Sequence, residues 1–148
     1  MTKKKTIVIC SSGSFYKHVN QIADELKSMG WKVVVPATAK SMKKTGNYDI
    51  DSLKSWYKDP NDFKIKAKKM RDHFGEVAAA DAVLIINDEK NGQKSYIGPN
   101  GLMEMGLAFY LGQPIYILNN VPADLPIYEE VYGMNCVILE GGIEKIKL

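Results

Sequence analysis

The stretch Asp81-Ala82-Val83-Leu84-Ile85-Ile86 places five apolar residues in a row behind one aspartate, near the middle of a 148-residue chain. A short run of mostly branched apolar residues without polar alternation is typical of a strand that is buried on both faces. Four more runs have this character and are predicted to be strands: Thr6–Cys10, Lys32–Pro36, Pro114–Leu118 and Cys136–Leu139. We therefore expect a sheet of five strands.

Longer stretches between these strands have apolar residues at helical spacing. Helices are predicted at Val19–Met29, from Asp59–Asp62 to about Ala80, and at Asn100–Leu111. The connection Ala37–Tyr57 is polar and rich in lysine, and only a short helix at Asp51–Tyr57 is expected there. Buried strands alternating with helices predict one α/β domain over residues 1–148. We expect a doubly wound parallel sheet, flavodoxin-like or Rossmann-like, with strand order 2-1-3-4-5.

The composition is that of an ordinary globular protein, with 45% hydrophobic and 25% charged residues. No apolar run approaches the roughly 18 residues of a membrane span, and Ile7–Cys10 is too short for a signal-peptide core. Cys10 and Cys136 both lie in apolar runs, which indicates core residues with reduced thiols, not nucleophiles. We therefore expect a cytoplasmic protein without a membrane partner.

The net charge of +3 hides an asymmetry between the two halves of the chain. Residues 1–74 carry a net charge of +9, and residues 75–148 carry −6. Arg71 is the only arginine, whereas proteins that read nucleic acids rely on arginine for forked contacts to phosphates and bases. We expect no nucleic-acid partner, although the lysines can attract a small phosphorylated ligand.

In doubly wound sheets, ligands bind beyond the carboxyl ends of the strands, where the strand order reverses. The predicted fold brings three segments there: residues 11–16, residues 87–100 and the connection after Pro36. The first two supply the candidate substrate-binding residues Ser11, Ser12, Gly13, Phe15, Asn87, Gly98 and Asn100. The serines and the glycine favour a phosphate or sugar contact, but a plain turn capped by Ser14 is the alternative. In the connection, either a lid over the base or an ordinary packed segment explains the aromatic residues Tyr48, Trp56 and Tyr57.

One carboxylate stands apart from the other charges. Glu104 is the only charged residue among the 29 residues from Ser95 to Ala123. The helix around it is apolar on nearly every side and is expected to be buried, with Asn100 as a candidate cap. A buried carboxylate loses hydration, so its pKa rises unless it is paired. Glu104 is therefore either a nucleophile or acid–base group in a cleft, or a structural residue that pairs with a lysine or caps a loop.

His73 is the second candidate catalytic residue. The predicted core face of its helix consists of Phe63, Ala67, Met70, Phe74 and Val77. At about 100° per residue, His73 lies at the flank of that face and Asp72 lies opposite it. His73 can thus lean toward a cleft, or it is a boundary histidine with a satisfied ring. His18 is expected on a helix surface.

Other kinds of site have no signature in the sequence. No cysteines and histidines have metal-ligand spacing, and no G-x-S-x-G motif marks a hydrolase nucleophile. The serine-containing loop matches neither the dinucleotide motif nor the P-loop. We expect neither a metal nor a cofactor, and a flavodoxin-like FMN protein is a weaker alternative.

Several blocks resemble the nucleoside 2-deoxyribosyltransferase superfamily, including its nucleoside 5′-monophosphate N-glycosidase branch. The resemblance covers most of the chain and rests on Cys10–Gly13, Ala80–Ile85, Glu104–Ala108 and Gly112–Ile115. It implies a homo-oligomer and a small-molecule nucleoside or nucleotide substrate, with Glu104 matching the family's acidic nucleophile. Such a carboxylate attacks the anomeric carbon C1′, and water or a second base completes a retaining hydrolase or transferase reaction.

One departure from the family pattern concerns the catalytic site. Asp81 matches the family's aspartate at the start of the third strand, which is a structural position. The family has an active-site aspartate eight residues before it. In this chain the residue eight positions before Asp81 is His73. A histidine can orient the sugar or the carboxylate, or donate a proton to the leaving base. The loop Gly92–Asn100 also differs from the short family loop. The resemblance thus implies N-glycosidic cleavage or (deoxy)ribosyl transfer by a divergent member, with a nucleotide-binding module that has lost the reaction as the alternative.

Overall fold

A computed structural model describes residues 3–147 and contains one sheet of five parallel strands. The strands are β1 (Thr6–Ser11), β2 (Lys32–Val34), β3 (Ala82–Ile86), β4 (Ile115–Ile117) and β5 (Val137–Ile138). Their order is β2-β1-β3-β4-β5, flanked by helices, which confirms the predicted α/β class and strand order. Every predicted strand forms, although β5 is reduced to two residues.

The helices cover both faces of the sheet. They are α1 (Tyr16–Ser28), α2 (Ala37–Thr45), α3 (Phe63–Ala79), α4 (Pro99–Tyr110) and α5 (Tyr128–Gly133). Short 3-10 turns lie at Gly13–Phe15, Asp51–Leu53, Ser55–Tyr57, Pro60–Asp62 and Ile143–Lys145. No helix within residues 3–147 has the length and apolarity needed to cross a bilayer.

The alternation of side chains along β1 separates two cores. Ile7 and Ile9 pack with the buried side of α1 on one face of the sheet. Val8 and Cys10 pack on the other face with residues from α3 and α4, such as Val77 and Met105. Because successive strand residues point to opposite faces, Cys10 is directed toward the helices that carry His73 and Glu104.

Two helices were not predicted. The segment that forms α2 buries only Ala39 and Met42, so it has no apolar stripe to detect. Helix α2 ends at Gly46, which has a left-handed φ of 72°. Helix α5 is six residues long and buries only Val131. The short helix expected at Asp51–Tyr57 is instead a pair of 3-10 turns.

The predicted core face of α3 is partly wrong. Phe63 is 51% exposed, whereas His73 and Val77 are the buried residues of this helix. The first half of α3 lies beside the 3-10 turn at Ser55–Tyr57, where Lys66 and Lys69 approach the Trp56 ring. Only the second half of α3 faces the sheet, so His73 lies within the buried face and not at its flank.

Side-chain hydrogen bonds stabilise the amino end of the sheet, which lies opposite the carboxyl ends of the strands. Thr6 N–H donates to Asp81 Oδ2 at 2.7 Å, and Asp81 N–H donates to the Thr6 carbonyl at 2.9 Å. Gln113 Nε2 donates to the carbonyls of Val77 and Ala80. Asp81 therefore has the structural role expected at the start of β3.

Candidate functional site

A cleft of about 560 Å³ opens at the carboxyl ends of β1 and β3. The two strands pair in register up to Ser11 and Ile86, so the loops that follow them emerge side by side. The connection after β2, the inner side of α3 and the first turns of α4 complete the walls. Most predicted site residues line this cleft: Ser11, Ser12, Gly13, His73, Gly98, Asn100 and Glu104.

Phe15 does not line the cleft. The 3-10 turn at Gly13–Phe15 directs its ring inward, where it is 6% exposed and belongs to the apolar core. The ring meets Tyr96 edge to face, with a centroid distance of 6.3 Å. The structure gives the Phe15 ring a packing role, and its predicted contact with substrate stays a prediction.

Asn87 is also outside the cleft. It is fully buried, and its amide Nδ2 donates to Ser95 Oγ at 2.7 Å and to the Asn119 carbonyl at 3.0 Å. Its Oδ1 accepts the Asn119 N–H at 2.8 Å. Both polar ends of the side chain are thus occupied in holding the loop after β3 to the loop after β4. The structure therefore gives Asn87 a structural role between the two loops, and its predicted contact with substrate stays a prediction.

The predicted caps also differ from those in the structure. Helix α4 begins at Pro99 behind Gly98, so Asn100 lies in the first turn and does not cap the helix. After β1, Ser12 is the capping residue, since its hydroxyl accepts the Ser14 N–H, and Ser14 itself is exposed. Lys90 Nζ donates to the same Ser12 hydroxyl at 3.1 Å.

Glu104 lies at the inner end of the cleft and is 6% exposed. Its predicted burial is confirmed. His73 Nε2 lies 3.9 Å from Glu104 Oε2 and 3.5 Å from Cys10 Sγ. The other ring nitrogen of His73, Nδ1, lies 3.4 Å from Glu76 Oε2. A carboxylate, an imidazole and a thiol from α4, α3 and β1 therefore converge on one buried point.

Burial has the largest effect on the pKa values of the groups that meet here. Loss of hydration raises the pKa of Glu104, while His73, a hydrogen bond from Cys10 and the charge of Lys66 oppose that rise. The same burial, together with the nearby Glu104 carboxylate, raises the pKa of Cys10 and of Tyr16. The thiol and the phenol are thus held in their protonated forms.

Sequence reasoning missed Cys10 as a member of this site. Its Sγ, a nitrogen of His73 and a Glu104 oxygen all lie within 4.8 Å of one another. The search for metal-ligand spacing fails here because Cys10 and His73 are 63 positions apart. The available signal was the strand alternation, which places Cys10 on the face covered by the predicted helices.

Four lysines along the cleft were also missed as a group. Lys54, Lys66, Lys69 and Lys90 come from three different segments and share the cleft wall. Burial lowers the pKa of Lys66. Asp72 also lines the cleft, at an exposed position where its carboxylate pairs with Lys68 at 2.6 Å. His18 is partly exposed near the helix surface and pairs with Asp88 at 2.6 Å.

Of the three aromatic residues of the predicted lid, two line the cleft and one lies outside it. Trp56 is 7% exposed and Tyr57 is 76% exposed, and both line the cleft. Tyr48 instead accepts a hydrogen bond from Asn20 Nδ2 at 3.4 Å and packs away from the cleft. Ile50 closes over the first loop, since a Cβ added to Gly13 would lie 2.5 Å from its side chain.

Comparison of the chain with protein-family models and with curated proteins finds no match. The resemblance to nucleoside 2-deoxyribosyltransferases therefore rests on the residues quoted above, and it supports a proposal about function.

Proposed function

We propose that the protein cleaves, or transfers across, the N-glycosidic bond of a nucleoside or nucleoside 5′-monophosphate, with Glu104 as the nucleophile. The observation that supports this most strongly is the burial of Glu104 at the inner end of a cleft at the switch point of the sheet. A carboxylate with reduced hydration at such a place is typical of an active site.

The proposed reaction proceeds in two displacements. A Glu104 oxygen attacks C1′, and the bond from C1′ to the base nitrogen breaks, leaving its electron pair on the base, which takes up a proton. Water or a second base then attacks C1′, and the bond from C1′ to the Glu104 oxygen breaks with its electron pair returning to the carboxylate. His73, which gave its proton to the first base, takes the proton of the attacking group. We assign His73 to orienting the Glu104 carboxylate, because its Nε2 lies 3.9 Å from Oε2, and to donating the proton to the leaving base.

Four lysines and three carboxylates, those of Asp72, Glu76 and Glu104, line the cleft, and the lysines favour a phosphorylated substrate over a free nucleoside. Lys90 already bonds the Ser12 hydroxyl in the loop after β1. Lysine ammonium groups are effective point-charge partners for phosphate. The glycine and serine loop offers further donors for the phosphate or the sugar. This arrangement suits one small anion, and we propose no nucleic-acid polymer as a partner.

A homo-oligomer belongs to the same proposal. Helix α4 carries Glu104 on its buried side and exposes large apolar side chains elsewhere on its surface. Met103 is 42%, Phe109 54% and Tyr110 85% exposed. A second copy covering this patch would remove apolar surface from water. The two free cysteines also suit a reducing, cytoplasmic setting.

A non-catalytic nucleotide-binding module is the second candidate. It is favoured by His73, which stands where the resembled family has an active-site aspartate. Such a module would keep the cleft and the lysines and would bind the nucleotide without breaking it.

Base release separates the two candidates. The protein is incubated with a panel of ribonucleosides, deoxyribonucleosides and their 5′-monophosphates, and free base is quantified by chromatography. We expect release from at least one nucleotide, and a loss of at least about 1,000-fold in Glu104→Gln with ligand binding retained. Glu130→Gln, an exposed change on α5 outside the cleft, is the matched control. A wild-type protein that binds a nucleotide but releases no base supports the binding module instead.

A further inference from the structure

The side chains of Cys10, His73 and Glu104 converge in an arrangement that suits metal binding, which N-glycosidic cleavage does not use. Each residue offers one atom that ligates metals, and the three atoms lie within 4.8 Å of one another. All three residues are buried. They come from β1, α3 and α4, so the packed core fixes their relative positions and no mobile loop contributes a ligand.

The distances fit a tetrahedral zinc ion. Bonds of about 2.3 Å to sulfur and 2.0–2.1 Å to nitrogen, at a tetrahedral angle, separate the two ligand atoms by about 3.5 Å. The separation between Cys10 Sγ and His73 Nε2 is 3.5 Å. Nitrogen and oxygen ligands of zinc lie about 3.4 Å apart, and His73 Nε2 is 3.9 Å from Glu104 Oε2. The third pair, Cys10 Sγ and the Glu104 oxygen, lies within 4.8 Å, whereas zinc holds sulfur and oxygen ligands about 3.5 Å apart, so the Glu104 carboxylate must move toward Cys10 and His73 when zinc binds.

Glu76 orients the imidazole for this purpose. Its Oε2 lies 3.4 Å from His73 Nδ1, so the tautomer that carries hydrogen on Nδ1 donates to Glu76. The lone pair of Nε2 then faces Cys10 and Glu104. Metal-bound histidines commonly donate their other ring N–H to a carboxylate in this way.

We propose that Cys10, His73 and Glu104 form a three-ligand site for Zn²⁺, with the fourth position open to the cleft. Thiolate, imidazole and carboxylate together are a ligand set that zinc accepts. On binding, zinc replaces the thiol proton of Cys10, which passes to the buffer. The cleft supplies the fourth position because His73 and Glu104 both line it.

Zinc and the glycosidic reaction compete for one carboxylate. A Glu104 oxygen that ligates zinc cannot attack C1′, so zinc inhibits base release and a chelator restores it. This consequence rests on the proposed function, whereas zinc binding itself does not. A protein that releases no base still reports zinc occupancy by spectroscopy.

Cobalt substitution tests the site. Chelator-treated protein is titrated with CoCl2 and then with ZnCl2, and the absorption spectrum is recorded. We expect one equivalent of cobalt, a sulfur-to-cobalt charge-transfer band and strong tetrahedral d–d bands, all removed by zinc. A wild-type spectrum without the charge-transfer band overturns the proposal.

Variants assign the ligands. Cys10→Ala and His73→Ala are expected to lose the band, and Glu76→Gln to weaken zinc binding about 10–100-fold. The chain has two cysteines, so Cys136→Ser identifies the thiolate even if Cys10→Ala does not fold. Retention of the band in Cys136→Ser supports Cys10 as the ligand, and its loss there contradicts the proposal. Retention of the band in a folded Cys10→Ala protein contradicts it as well.

Discussion

Glu104 illustrates what one residue in an unusual sequence context can reveal. A single carboxylate within 29 residues that are otherwise uncharged predicts burial, and the side chain is 6% exposed. Its partners were harder to predict. His73 was found from its place on a helix, but Cys10 belongs to a distant strand, and proximity between elements is set by packing that no local pattern records.

The raised pKa of Glu104 makes the stability of the protein depend on pH. Below the ordinary carboxyl pKa of 4.5, the folded and unfolded chains both hold the proton. As the pH rises from that value to the higher pKa of the folded state, the unfolded chain loses its proton first. The free energy of unfolding therefore falls by about 1.4 kcal/mol for each pH unit between the two pKa values.

Glu104→Gln removes the titrating carboxyl group and with it this fall in the free energy of unfolding. We therefore expect the variant to be more stable than the wild type at pH 7, and the difference to vanish near pH 4. Urea unfolding followed by circular dichroism at both pH values measures it, with Glu130→Gln on the surface of α5 as the control. A Glu104→Gln difference that is equal at the two pH values contradicts a raised pKa in the folded state.

Among the secondary-structure elements, the strands were predicted well and two helices were missed. A strand buried on both faces leaves a continuous apolar run, as in Ala82–Ile86. Helix α2 buries only two side chains, and α5 buries only one. Helix α2 is held to α1 largely by polar contacts, such as the ion pair of Lys43 with Asp24 and the hydrogen bond from Asn20 Nδ2 to the Ala39 carbonyl, so its own residues carry little apolar pattern.

The segment of residues 46–58 between α2 and α3 covers the cleft, and its fit depends on one glycine. Gly13→Ala would place a Cβ 2.5 Å from Ile50 Cγ1, so Ile50 must move and the segment loosens. We expect trypsin to cut this segment several-fold faster in Gly13→Ala because local opening becomes easier. Combining the change with Ile50→Ala should restore the wild-type rate.

Gly75→Ala is the matched control, since a Cβ there meets no described atom within 4 Å apart from the neighbouring residues and backbone of its own helix. Unchanged cleavage in Gly13→Ala contradicts the contact. If the segment is a lid that stacks on a base, nucleotide also slows cleavage of the wild type, and identical rates with and without nucleotide contradict the lid.

For the molecule as a whole, net charge was less informative than the place of each charge. The basic first half contributes Lys54, Lys66 and Lys69 to the cleft wall, and the acidic second half contributes Glu104 at its inner end. The sequence predicted the switch point where these groups meet, because strand order determines it. It did not identify which lysines reach the cleft, since this depends on how α3 and the covering segment pack.

The exposed apolar patch on α4 predicts self-association. Tyr110 is 85% and Met103 is 42% exposed, and a lysine at either position would oppose burial against a second copy. We expect light scattering to give a dimer or larger assembly for the wild type and a monomer for the double variant Met103→Lys, Tyr110→Lys. Met29→Lys, at an exposed apolar residue after α1, is the control. A monomeric wild type contradicts the oligomer.

Trapping the covalent intermediate tests the role of Glu104. A 2′-fluoro analogue of the released nucleotide destabilises the oxocarbenium-like transition state and slows both displacements. After incubation with this analogue, mass spectrometry of the intact protein and of its peptides locates any added sugar phosphate. We expect one adduct, on Glu104, and none in Glu104→Gln. Base release from the natural nucleotide combined with an adduct on another residue, or with none, would contradict Glu104 as the nucleophile.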